Sequence, residues 1–189
     1  GPGDAAGELG TVPSGLAGGR LGATLAMLAA GKREDVYGII AIAVVPSGKA
    51  LVREARALQM QLGLAPAPAG RDHPEDLHEA VGFALSAETR TALSQIDLLK
   101  LPRPPAPSVL LIDRDDLAAN DKLAAALRSL GATVEQRRVS GYVEMVLDPH
   151  RAVVPRPTVE AATPFAPARP ALTAGMPGGP RPPHTVTDA

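Results

Sequence analysis

Cysteine is absent from this 189-residue chain, so disulfides, thiolate metal ligands and a cysteine nucleophile are excluded together. Tryptophan is absent as well, and two tyrosines and two phenylalanines bring aromatics to only 2%. A core must therefore be built from Ala, Leu, Val and Ile, with few large anchors. Neither sign of charge dominates. The formal net charge of −1 leaves no excess field to draw in nucleic acid or an anionic membrane surface. No apolar run reaches the roughly 18 to 20 residues that span a bilayer. The opening GPGDAAGELG has neither the basic start nor the apolar block of a secretory leader, and the expected compartment is the cytoplasm.

What the chain has in quantity is 20 prolines and 19 glycines, many outside the periodic segments. Residues 1–14 read as a poorly ordered lead-in. The Pro-, Ala- and Gly-rich residues 155–189 offer too little apolar surface to offset ordering entropy and read as a disordered tail. Between them, Leu21, Leu25, Leu28 and Ala29 recur at helical spacing, and that helix stops near Gly31. YGIIAIAVVPSG (37–48) is a β-branched run of the kind buried on both faces of a parallel sheet. LVREARALQMQLGL (51–64) has a helical stripe, and APAPAGRDHPED (65–76) is a linker. Residues 76–100 predict two short helices, with Ser86 as N-cap of the second. LPRPPAP (101–107) is a stiff connector.

The clearest unit follows. SVLLID (108–113) predicts a buried strand, residues 116–132 an amphipathic helix closed by Gly131, and TVEQRRVSGY (133–142) a more exposed strand. Strand, helix and strand at this length make a βαβ unit with parallel strands and a right-handed crossover.

Two places hold candidate chemistry. Asp113, Asp115 and Asp116 follow the carboxyl end of a buried strand, where open α/β sheets collect ligands; Asp116 is also placed to cap the next helix. Gly15, Gly18, Gly19 and Gly22 surround a helix start at Leu21, where amides attract anions and Arg20 would add to that attraction. The spacing is not G-x-G-x-x-G and no clear strand precedes it, so a dinucleotide site is disfavoured. His73 and His78 flank a proline with no further ligands in view, so no metal site is expected. His150, after Asp148 and Pro149, is open to a role as base, ion-pair partner or exposed turn residue.

The order of these parts resembles α/β-hydrolase-fold proteins, and more closely their serine-aminopeptidase or esterase-like branch. The likeness rests on the glycine turn with its helix, VVPSG, LVREARALQ, VLLIDRDD and the strand ending in SGY. It implies a mainly parallel α/β-hydrolase-like sheet flanked by helices. That sheet would be a truncated, partial domain over residues 15–154, with a helical insertion at about 65–107. The family sets a serine in a G-x-S-x-G elbow, an acid after a later strand and a histidine after the last. Here Gly18-Gly19-Arg20-Leu21-Gly22 puts Arg20 in the serine position. Asp116 matches the acid best, with Asp113 or Asp115 as alternatives. The histidine register falls on Glu144, and His150 is an alternative base.

Arginine stays protonated and has no lone pair to attack with, so the resemblance implies an impaired hydrolase. Ser14 and Ser47 are the only nearby candidates for a serine nucleophile. The strands that normally precede such an elbow are missing from this sequence, which leaves a sheet edge for a protein partner or a second copy to cover. Three functions stay open: hydrolysis of a small ester or amide, non-catalytic binding of an anionic ligand or partner, and a receiver-like phospho-acceptor role using Asp113, Asp115 and Asp148. No cofactor is implied.

Overall fold

The β-branched run forms β2 (Val36–Ile42) inside a four-stranded parallel sheet, which in spatial order runs β1 (Ser14–Gly19), β2, β5 (Ser108–Arg114) and β6 (Thr133–Val139). The computed structural model describes residues 13–61, 77–80, 83–146, 150, 153–165 and 167. In chain order, β1 (Ser14–Gly19) leads into α1 (Leu21–Ala30), then β2 and α2 (Gly48–Gln61). A small antiparallel pair follows, β3 (Leu77–Ala80) with β4 (Phe83–Ser86), and then α3 (Ala87–Ser94). The sheet resumes with β5 (Ser108–Arg114), α4 (Asp121–Ser129) and β6 (Thr133–Val139). Two short helices complete it, α5 (Tyr142–Met145) and α6 (Arg156–Ala162). The fold is α/β, with a wholly parallel main sheet and helices against it. Among the described strands, β1 and β6 are its edges. Among the described residues, no helix is long and apolar enough to cross a membrane.

Strand alternation divides the core between the two faces. On one face, Ile39 and Ala41 of β2 and Val109 and Leu111 of β5 meet Ala23 and Met27 of α1 and Leu123 and Leu127 of α4. Leu110 and Ile112 alternate with these and are equally buried on the opposite face. A strand buried on both sides needs a second cover. That cover is α6, which packs on β5 and β6 with Thr158 buried, while Arg137 of β6 donates to the Ala161 carbonyl near its C-terminal end.

Several expectations need correction. Residues 156–162, assigned to a disordered tail, are helical because Thr158 and the α6 backbone find the open sheet face; residues 168–189 lie outside the described set. Ser14, assigned to the lead-in, begins β1, and a strand does precede the glycine turn. Its composition, SGLAGG, hides it, because the pairing with β2 rather than local propensity makes it extended. The first of the two helices predicted over residues 76–100 is instead the β3/β4 pair, in which backbone groups are satisfied across the ladder as they are not in one isolated helical turn. Ser86 does cap α3, its hydroxyl oxygen accepting from the Thr89 amide at 3.0 Å. The helix predicted from residue 116 starts at Asp121, with Asn120 as N-cap, so Asp116 is not its cap. The predicted linker at 65–76 and residues 1–12 lie outside the described set.

Candidate functional site

Three sheet strands end around one cleft. At the end of β1 the chain turns into α1 on Arg20, whose backbone sits at φ 50° and ψ −123°. Its N–H still donates to the Ile42 carbonyl of β2 at 2.9 Å, and its carbonyl accepts from the Thr24 amide of α1 at 3.2 Å. One residue thus belongs to both strand and helix, and the corner between them is sharp. Gly18 makes this possible: a Cβ there would lie 2.7 Å from the Ala23 nitrogen and 2.8 Å from the Gly22 carbonyl carbon. At the end of β2, Ala43 is also left-handed, at φ 48°, with its N–H on the Ile112 carbonyl. Arg20 and Ala43 are the two non-glycine residues with positive φ among those described, and both line the cleft. Such strain collects at functional sites, at about 1–3 kcal/mol per residue.

The third wall comes from β5. Asp113 is buried and accepts from the Asn120 amide at 3.2 Å, the Asn120 side-chain nitrogen at 2.8 Å and the Gln136 side chain at 2.7 Å. This carboxylate ties β5 to β6 and fixes the start of α4; Asn120 also reaches the Val44 carbonyl at 3.3 Å. Next to it, Arg114 forks onto Asp116, with Nε 2.8 Å from Oδ1, and its guanidinium lies 4.4 Å from the centre of the Tyr142 ring. The hydrogen bond from Arg114 holds the Asp116 carboxyl below its ordinary range and raises Arg114 in turn.

Tyr142 is the residue that sequence reasoning missed. Gly141, at φ 94°, turns the chain after β6 so that Tyr142 enters the interior. Its electrostatic neighbours are Arg20, Arg114, Glu54 and Asp116; burial raises its phenol, and the two arginines oppose that rise. Glu144, placed in the histidine register, is exposed on α5, so the position directly after Gly141 is the one that faces the site. The SGY string contained that signal. Glu54 was also missed. From α2 its Oε2 lies 2.7 Å from Arg20 Nη2, completing a cluster of two arginines and two carboxylates around Tyr142.

The remaining candidates lie apart or are engaged elsewhere. Asp115 is exposed, and its carbonyl accepts from Arg138. His150 is exposed in a turn. Asp148 and His73 fall outside the described residues, as does the side chain of His78. The Ser47 oxygen accepts from the Ala50 amide at 3.4 Å, at the head of α2. The cleft measures about 160 Å³ and is otherwise walled by residues 43–46, Leu117 and Ala118. Its polar lining is dominated by charged side chains. Arg20 and Arg114 only donate, Asp116 is held ionised by its arginine, and the Tyr142 phenol keeps its proton at neutral pH.

No family model matches this chain, and no curated protein matches it. Among solved structures it is similar to the esterase domain of a Rhodothermus marinus protein, at 22% identity and TM-score 0.43 over 68% of this chain and 50% of that one. It is similar also to the alpha/beta hydrolase GrgF from Penicillium sp. sh18, at 13% identity and TM-score 0.42 over 67% of this chain and 54% of that one. A hypothetical protein from Pseudomonas aeruginosa is a third, at 15% identity and TM-score 0.43 over 78% and 59%. The chain spans about half the length of these structures.

Proposed function

We propose that this chain is a hydrolase-type α/β scaffold, esterase- or peptidase-like in layout, whose elbow binds an anionic group and forms no acyl-enzyme. The carrying observation is the strained corner at Arg20, with φ 50° and ψ −123° between a parallel strand and the helix packed on Gly18. That geometry exposes a side chain at the sheet's carboxyl edge, which is what a nucleophile elbow does. Here the exposed group is a permanent cation. Nucleophilic catalysis needs an atom with an available lone pair, activated by a neighbouring base or by a lowered pKa. Arg20 has no lone pair to attack with, burial holds the Tyr142 phenol protonated, and Asp116 is engaged by Arg114, whereas a guanidinium in a half-open cleft suits a carboxylate or phosphate.

The test is chemical. Purified protein incubated with a fluorophosphonate probe is expected to show no stoichiometric labelling and no turnover of a chromogenic acyl ester. Stoichiometric labelling, or turnover abolished by Ser47→Ala, overturns the proposal.

A further inference from the structure

Glu54 stands where a ligand's carboxylate would gain most. Its Oε2 lies 2.7 Å from Arg20 Nη2, while 45% of its own side chain and 28% of that of Arg20 remain exposed. The other cation of the cleft is differently placed. Arg114 is forked on Asp116 and covered by the Tyr142 ring, so its charge is already matched on two sides. A half-exposed pair between long side chains is weak, because water screens it and both partners lose freedom in forming it. Displacing Glu54 from Arg20 therefore costs an external carboxylate little. The apolar lining of Ala43, Val44, Val45 and Leu117 then adds contact for a ligand's hydrocarbon part.

Size and charge narrow the ligand. About 160 Å³ is well below the ~300–1,000 Å³ of drug-sized sites and suits a short-chain acid. Exchanging one carboxylate for another leaves the local charge unchanged. A dianion would add a negative charge beside Asp113, which shares the cleft. Building on the binding function proposed above, we infer that the cleft takes a short-chain monocarboxylate whose carboxylate replaces that of Glu54 on Arg20, Glu54 being a built-in competitor that moves out to solvent.

The experiment is an NMR titration of the full chain with isobutyrate, with isobutyramide as the neutral isostere and inorganic phosphate as the competing anion. Isobutyrate is expected to give saturable shifts at the Arg20 Nε–H and the Val44 and Val45 amides. Glu54→Gln is expected to tighten binding about 1.5- to 5-fold, the range of an exposed pair removed. Arg20→Gln is expected to abolish it, and Lys100→Gln, in the turn at Leu98–Lys100, to leave it unchanged. Glu54→Gln alters a solvent-facing residue and carries the test even if Arg20→Gln fails to fold. Unchanged affinity in Glu54→Gln, equal shifts from isobutyramide, or tighter binding of phosphate each overturns the inference. Fluorophosphonate labelling is read separately. Without labelling, a failed titration refutes the monocarboxylate alone; stoichiometric labelling refutes the non-catalytic function even where isobutyrate binds.

Discussion

Gly18 and Gly22 flank the same corner, and the structure expects opposite results from giving each a methyl group. In Gly18→Ala the new Cβ would lie 2.7 Å from the Ala23 nitrogen, 2.8 Å from the Gly22 carbonyl carbon and 2.9 Å from its oxygen. All three are backbone atoms of the first turn of α1, so no side-chain rotation relieves the overlap. The helix must lift from β1, which loosens the packing of Ala23 and Met27 on the sheet. Overpacking of this kind is worth about 1–3 kcal/mol, and a rigid backbone partner points to the upper half of that range. At ~2–4 °C per kcal/mol for a chain of this size, the melting temperature falls by roughly 4–12 °C. In Gly22→Ala the new Cβ meets nothing within 4 Å, and the residue is helical. Replacing an open helical glycine gains about 0.4–1 kcal/mol, so this variant should melt a few degrees higher. Urea denaturation followed by circular dichroism measures both. Equal destabilisation by the two substitutions, or a Gly18→Ala midpoint matching the parent, refutes the tight corner and with it the elbow geometry.

Three further outcomes follow from the site. Asp113→Ala should cost about 1–3 kcal/mol in urea denaturation, because the Asn120 amide loses its acceptor while Gln136 keeps Asp121 and the Asn120 side chain keeps the Val44 carbonyl. The Asn120 amide should also exchange faster with deuterium. Asp116, bonded to Arg114, has a folded pKa below its ordinary 3.8, so its contribution is present above that value and lost as pH falls through the lower folded one. The stability difference between parent and Asp116→Asn should therefore shrink as the pH is taken below 3.8; a gap that widens in acid contradicts the assignment. Burial holds the Tyr142 phenol neutral past its ordinary 10.0, a contribution fully present below that pH and lost as pH rises through the higher folded value. Alkaline titration followed by phenolate absorbance should show a late component that Tyr142→Phe removes.

The buried network around Asp113 gives the site its rigidity. One carboxylate gathers β5, β6 and the start of α4, and Asn120 extends that hold to the loop after β2. Arg114 ends β5 beside this network and holds Asp116 just beyond the strand. Arg20 and Ala43 are held at positive φ by their own N–H groups on the neighbouring strands, at Ile42 and Ile112.

Periodicity alone determined much of this protein. The helix ending near Gly31, the β-branched β2 and the β5-α4-β6 unit are continuous local patterns, and each formed as the type its apolar spacing predicted, though with shifted ends. The corner glycines, Arg20 at their centre and the acids after β5 were legible for the same reason, because the pattern is contained in a few consecutive residues. What tertiary structure decided is whatever depends on a distant partner. SGLAGG is a strand only because β2 pairs with it, and residues 156–162 are a helix against a sheet face that needed cover. The start of α4 is fixed by Asp113 rather than by the first available acid. Glu54 meets Arg20 across 34 residues of sequence, and a single left-handed glycine turns Tyr142 inward and leaves Glu144 outside. Backbone spacing fixes which residues share a strand or helix; the packing of one element on another fixes which charges meet.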